Sequence, residues 1–280
     1  MHDMLWPTAL CRRILLLAAF GVGSLQVASG PTSAARTEPQ LATPERKVES
    51  RDLTWTDALR SREIPVRVYA PGLNRGGSPF PLVVFSHGGG ESREAFGYLG
   101  NYWAGHGYIA VFLTHRGSDR AAIEKQGMRG MSGGGVRNFH LRPEDVRFVL
   151  DRLLSDDPGH ELVIGRIDPD RIAVAGQCAG STTALAMVGL QADLPDQPDA
   201  TRIDPRFKCA IALSPQPGGG RASPLHADSW AHIEVPTLVV TGSRDDIAPP
   251  AKIDALLPGW NPEARFSIIE GADHFYSATL

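Results

Sequence analysis

Three cysteines in 280 residues are few, and their placement excludes more than their number does. Cys11 lies in an N-terminal apolar segment, which leaves Cys178 and Cys209 for the folded body. Neither belongs to a Cys-x-x-Cys pair, which argues against a thiol redox protein, and no Cys and His cluster has the spacing of a structural zinc site. An excess of one charge is missing too. The 28 basic residues face 31 acidic ones, with no basic stripe interleaved with aromatics, so nothing points to a nucleic-acid partner. There is no internal repeat. The one long apolar stretch, "ILLLAAFGVGSLQVASG" after Arg12 and Arg13, is broken by Gly and Ser and is too short to span a bilayer comfortably. Basic residues, an apolar stretch and then small residues read as a secretory signal over residues 1–30, with a retained membrane anchor as the alternative. The expected localisation is secreted or periplasmic, without stable membrane insertion once the signal is removed.

What is present is an alternation of short apolar runs with helical patterns. "KVESRDLTW" and "IPVRVYAP" alternate apolar and polar residues as half-covered strands do, and "ALRSRE" between them can turn a hairpin. The runs "PLVVFSHGGG" (81–90), "GYIAVFL" (107–113), "RIAVAG" (171–176), "FKCAIALS" (207–214), "PTLVVTG" (236–242) and "RFSIIEG" (265–271) are nearly continuously apolar. Strands buried on both faces read that way. Helices are expected over 93–106, 143–154, 179–190 and 250–257, with Pro143 in a first turn and Glu144 and Asp145 placed against the helix dipole. The implied fold is α/β: a mainly parallel eight-stranded sheet with helices on both faces and the hairpin antiparallel at one edge. The folded body is expected over 47–280, after a Pro-, Thr- and Ala-rich disordered lead-in over 31–46. Cys178 then lies past the end of one strand and Cys209 near the start of the next, at opposite edges of the sheet, so two free thiols are expected.

Every unusual group falls at the carboxyl end of a strand, where open α/β sheets collect their chemistry. Gly176-Gln177-Cys178-Ala179-Gly180 has the G-x-[S/C]-x-G form of a nucleophile elbow, whose flanking glycines leave no side chain to collide with the neighbouring strand and helix. The helix beginning at Ala179 turns its amide end toward the sulfur, where negative charge is favoured. His87-Gly88-Gly89-Gly90 follows a strand and bares its backbone amides. With the amide of Ala179, that of Gly89 or Gly90 could hold an oxyanion, and His87 braces the loop. "TGSRDD" brings Asp245 and Asp246, and "GADHF" brings Asp273 and His274. His274 is the expected base, Asp245 the expected partner of its imidazole, and Asp273 a shaper of the loop. Only six residues follow His274, so a loosely held loop is an expectation here.

The order nucleophile, acid, histidine is that of the α/β-hydrolases. From Lys47 onward the chain resembles that superfamily in "VVFSHGGGESREAFGYL", "HGYIAVFLTHRGSD", "RPEDVRFVLDRL", "IDPDRIAVAGQCAGSTTALA", "LSPQ", "VPTLVVTGSRDD" and "GADHF". More narrowly it resembles the dienelactone hydrolases and bacterial relatives of platelet-activating-factor acetylhydrolase. The resemblance implies hydrolysis of a small carboxylic ester or lactone by Cys178, His274 and Asp245, with neither metal nor organic cofactor. Members of the acetylhydrolase-like branch carry serine at the elbow, whereas the dienelactone enzymes carry cysteine. Residue 178 is therefore either a native nucleophile or a replaced serine, and a ligand- or partner-binding module with a disabled elbow is the alternative. In the dienelactone enzymes a carboxylate in the loop after the third strand restrains the thiol, and Glu91 occupies a comparable loop here. Arg93, Arg116, Arg137 and Arg142 lie on loops or helix starts near the pocket rim, and residues 191–207 form an irregular flap.

Overall fold

Each apolar run read from the sequence becomes a strand. A computed structural model of the chain describes residues 25–27, 46–72, 79–126, 135–156, 159–193, 202–218, 224–226, 228–256, 259–260 and 262–276. The strands are β1 (Leu25–Val27), β2 (Val48–Asp57), β3 (Arg62–Pro71), β4 (Phe80–Ser86), β5 (Ile109–Leu113), β6 (Ile167–Gln177), β7 (Phe207–Leu213), β8 (Thr237–Gly242) and β9 (Arg265–Ile269). They form one sheet in the order β1-β9-β8-β7-β6-β4-β5-β3-β2. The expected eight strands run from β2 to β9. The ninth, β1, lies antiparallel on β9 (Leu25 opposite Ile269) and comes from the segment expected to be a signal. Apart from those three residues and Arg46, the expected signal and lead-in lie outside the described residues.

From β4 to β9 the neighbours are parallel, with Val84 beside both Val111 and Val174 and Ala212 beside Val239. Val84, Val111 and Val174 point into one core, and Val83, Phe85, Phe112 and Ala175 into the other. Alternate residues meet opposite layers that are both dry, so the period of two disappears from the sequence. β2 and β3 form the antiparallel hairpin, its turn held by the Leu59 and Arg60 amides donating to Asp57 Oδ1 at 3.0 and 3.2 Å.

The helices are α1 (Gly97–Gly105), α2 (Arg120–Gln126), α3 (Gly135–Leu153), α4 (Ala179–Ala186) and α5 (Pro250–Asp254). α1, α4 and α5 are shorter than the expected ranges, and α3 begins earlier than expected. α1 begins only at Gly97 because Phe96 sits at φ 59°, outside helical geometry. α2 was not expected, although Asp119 marks its start, accepting from the Ala122 amide at 3.2 Å as an N-terminal cap does. The expectation for Pro143 is corrected: it lies inside α3, not in its first turn. A proline has no N–H to give the carbonyl four residues back, that of Phe139. Arg202 supplies the missing donor, its Nε reaching Phe139 O at 2.8 Å. Among the described residues no helix is long and apolar enough to cross a membrane. Neither Cys178 nor Cys209 forms a disulfide among the described residues.

Candidate active site

The elbow sits where β6 gives way to α4. Cys178 has φ 52° and ψ −117°, a left-handed backbone that costs a non-glycine residue about 1–3 kcal/mol. Its neighbours hold it there, the Cys178 amide donating to Leu213 O at 2.9 Å and the Ser181 hydroxyl to Cys178 O at 2.6 Å. A Cβ on Gly176 would lie 2.1 Å from Gly180 O, and one on Gly180 would lie 1.9 Å from Ser86 O. Both glycines are therefore steric necessities, as expected. Cys178 is part-exposed, and Gln216 Nε2, on the loop after β7, lies 3.7 Å from its Sγ.

Asp245 and His274 come from the loops after β8 and β9. His274 Nδ1–H donates to Asp245 Oδ1 at 2.9 Å and faces Oδ2 at 3.0 Å. Asp245 is fixed by the amides of Ala248 (2.7 Å) and Ile247 (3.0 Å), whereas Asp246 is exposed. Burial pushes the Asp245 carboxyl up, but the Ala248 amide, Ser214 and His274 outweigh it and hold the group below its ordinary value. Burial likewise pushes His274 down; Cys178, then Asp245, more than reverse this and the imidazole stands above its ordinary value. With Nδ1 committed to the acid, Nε2 is buried and has no hydrogen-bond partner among the described residues. Asp273 shapes the loop by accepting from the Phe275 amide at 3.0 Å.

The His274 loop is tied at two points. Gln177, buried beside the elbow, donates through Nε2 to His274 O at 2.8 Å. Tyr276 OH donates to Val240 O and accepts from Ser214 Oγ, both at 2.9 Å. Neither residue was singled out from the sequence; the one clue to Gln177 is its place inside the elbow motif.

The glycine loop corrects one expectation. The Gly90 amide donates to Ser118 O at 2.9 Å and is not available to an oxyanion. Gly88 donates to Glu91 Oε2 at 2.9 Å. The Gly89 and Ala179 amides have no partner among the described residues and are the two that can receive an oxyanion. Glu91 braces the loop, and burial raises its carboxyl above the ordinary range. His87 braces it too, its Nδ1 donating to Gly88 O at 2.5 Å.

The arginines divide. Arg93 donates to the carbonyls of Leu53 and Val66, and Arg116 pairs with Glu63 at 2.5 Å on the surface, so both are engaged at the hairpin. Arg142 is buried behind the glycine loop. The Arg137 side chain and residues 194–201 of the expected flap lie outside the described residues. No group of three or more His, Cys, Asp or Glu able to hold a metal occurs among the described residues.

A family described as platelet-activating factor acetylhydrolase, isoform II, matches residues 50–133. The platelet-activating factor acetylhydrolase of Canis lupus familiaris is 26% identical over 236 residues, covering 71% of this chain and 48% of that protein. A cutinase of Thermobifida alba is 25% identical over 184 residues, covering 65% of this chain and 47% of that protein. The chain thus spans about half the length of the curated relatives it matches. Among solved structures, a protein of Klebsiella pneumoniae assigned as a dienelactone hydrolase superposes with a TM-score of 0.59 at 17% identity, covering 81% of this chain and 88% of that one. With a mainly parallel sheet between helices, a strained elbow after a buried strand, and an acid and a histidine after the last two strands, the chain has the α/β-hydrolase fold.

Proposed function

We propose that the chain is an exported hydrolase of carboxylic esters or lactones, working through Cys178, His274 and Asp245 and a thioester intermediate. One observation carries the reading. The bond from His274 Nδ1 to Asp245 leaves Nε2 buried and unpartnered, in a site where Cys178 acts on the same imidazole. An imidazole with one nitrogen fixed by a carboxylate is set up to take and return a proton at the other. The sequence relatives are named as an acetylhydrolase and a cutinase, which agrees with an ester substrate. In this reading residues 1–30 are a removable signal, 31–46 a lead-in and 47–280 the working body.

The steps balance as follows. His274 Nε2 takes the Cys178 proton, and sulfur attacks the acyl carbon. The carbonyl oxygen, now an anion, receives the Gly89 and Ala179 amides. Collapse expels the alcohol, protonated by His274, and leaves the acyl group on sulfur. His274 then deprotonates a water that attacks the thioester, and departure of the thiolate, reprotonated by His274, releases the acid.

A tetrahedral adduct expels its better leaving group. A thiolate leaves more readily than a simple alkoxide, so activated esters, lactones and thioesters should turn over faster than alkyl esters of the same acyl group. The test alkylates the purified protein with iodoacetamide and measures hydrolysis of a matched pair, an aryl and an ethyl ester. Alkylation should abolish activity, and the aryl ester should be the faster substrate by at least about tenfold, a difference of roughly 1.4 kcal/mol in barrier. Full activity after alkylation rejects the sulfur as nucleophile; equal rates reject the leaving-group argument.

A further inference from the structure

A buried guanidinium with no carboxylate among its hydrogen-bond partners in the described residues lies behind the glycine loop. Arg142, on α3, is 1% exposed. Its Nε donates to the Ser118 hydroxyl at 3.0 Å, its Nη1 to His87 O at 2.6 Å and its Nη2 to Gly88 O at 3.2 Å. Burying a cation against neutral groups is unfavourable, and a well-packed apolar residue would serve a core at least as well. Burial pushes Arg142 down to about 10, so it stays charged at neutral pH, with Cys178, Asp145 and Glu91 the groups that favour its charge.

The carbonyls it holds give the charge a use. Gly88 O and the Gly89 amide belong to one planar, trans peptide unit, so they point in opposite directions. His87 Nδ1 donates to the same oxygen, and its tautomer is set because His87 Nε2 accepts the His115 amide at 2.9 Å. Two donors on one oxygen fix the plane of that peptide. They thereby fix the direction of the Gly89 N–H, which is the one glycine amide of the loop without a partner among the described residues. Ser118, the third partner of Arg142, also accepts the Gly90 amide through its carbonyl, so one side chain links both ends of the loop.

We infer that Arg142 is the positioning residue of the oxyanion hole: it holds the His87 and Gly88 carbonyls so that the Gly89 amide faces the anion that forms beside Cys178. The inference rests on the hydrolase reading above. Arg142 touches no reacting atom. Its work is to keep a donor aimed before the reaction starts, which is where electrostatic stabilisation of a transition state originates.

The test measures two reactions of Cys178 in the full chain, for the unsubstituted protein, Arg142→Lys and Arg142→Met. The first is kcat and KM for an aryl ester, which passes through an oxyanion. The second is the plateau rate of iodoacetamide alkylation at high pH, which uses the same thiolate and forms no oxyanion. Arg142→Met should lower kcat about 100-fold, the scale of losing one oxyanion donor, with KM and the alkylation plateau within about threefold. Arg142→Lys keeps the charge and can still reach one carbonyl, and should recover about tenfold of that loss. If Arg142→Met does not fold, the Lys variant decides: about a tenfold fall in kcat with an unchanged plateau supports the inference. A kcat within threefold in the folded variants overturns it, and so does a parallel fall of both reactions, which marks a merely structural role. Failure of the hydrolase reading looks different, because it appears in the unsubstituted protein as activity that survives alkylation.

Discussion

Among the described residues, two arrays share an imidazole whose Nδ1 faces an aspartate. In one, Asp245 holds His274 beside Cys178. In the other, Asp145 Oδ2 lies 3.0 Å from His115 Nδ1, and Ser86 Oγ lies 2.8 Å from His115 Nε2. By residue type the second is a serine, a histidine and an aspartate in contact, yet Ser86, His115 and Asp145 are all completely buried. Ser86 is the last residue of β4 and lies directly under the elbow, its own carbonyl pressed against Gly180. Cys178, by contrast, stands in strained backbone at the mouth of the sheet. The electrostatics run in opposite directions. Burial pushes His115 down to about 4, against the help of Asp145, whereas Cys178 and Asp245 hold His274 above its ordinary value despite burial. Every hydrogen-bonding atom of the His115 ring is paired, while His274 keeps one nitrogen free of partners among the described residues. The array proposed to be catalytic thus differs from the buried one in the contact that it lacks among the described residues.

The sharpest way to break this comparison is to remove each imidazole. Replacing His274 by Ala should lower kcat/KM for an aryl ester by about 10³-fold or more, a loss of roughly 4 kcal/mol of transition-state stabilisation. Thermal unfolding should change little, because among the described residues the ring hydrogen-bonds to Asp245 alone and its loop is tied by Gln177 and Tyr276. His115→Ala should do the reverse and chiefly destabilise the fold. It strips a partner from Ser86 and from Asp145, a carboxylate that Arg60 and Arg62 already crowd at 2.7–2.8 Å. If the two variants lost activity equally while both stayed folded, the two arrays would not be separable.

A second test uses pH. His115 and His87 are held below their ordinary value of 6.5, so the folded state binds fewer protons than the unfolded chain as pH falls past that value. Their contribution to stability is complete above about pH 6.5 and is lost on acidification, for His115 down to about pH 4. Integrated over that window, His115 alone amounts to on the order of 3 kcal/mol. His274 has the opposite sign: its contribution is complete below 6.5 and fades as pH rises through its folded value. Urea midpoints measured from pH 7.5 to 4 should therefore fall on the acid side, and His115→Asn should flatten that fall. The activity profile should instead rise with pH through a midpoint above 6.5, because the base must be neutral to accept the thiol proton. A stability curve for His115→Asn as steep as that of the parent would remove His115 as a source of acid sensitivity.

The array proposed to be catalytic was legible in the sequence and the buried one was not, for a physical reason. Elbow, acid and base each carry a local mark. A glycine on either side of Cys178 reports a backbone carbonyl about 2 Å from where a Cβ would stand, and Asp245 and His274 stand right after apolar runs of the kind that a buried parallel sheet gives. Ser86, His115 and Asp145 carry no such mark. They are joined across 29 and 30 residues, and a polar residue in or just after an apolar run does not say which partner it has. The same limit hid Arg142, read as one of four rim arginines. It also misplaced Pro143, whose helix continues because Arg202, 63 positions from Phe139, replaces the missing donor. Gly90 was offered as an oxyanion donor because composition shows that a loop is bare, whereas only the peptide planes show which amide is already spent.

The smallest effect isolates the buried array most cleanly. Because His115 Nδ1 carries its proton toward Asp145, its Nε2 is an acceptor, and the Ser86 hydroxyl must be the donor at 2.8 Å. Ser86→Ala removes that donor without adding bulk and leaves a buried lone pair unsatisfied, at a cost of about 1–2 kcal/mol. The backbone carbonyl that faces Gly180 stays in place, so the elbow has no reason to move. The expected outcome is a urea midpoint lowered by that amount with kcat for an aryl ester within about threefold of the parent, whereas Cys178→Ala, the same kind of truncation at the elbow, should leave stability nearly intact and abolish turnover. Loss of turnover in Ser86→Ala at full folding would mean that the hydroxyl beneath the sheet takes part in the chemistry, and the division of labour between the two arrays would be wrong.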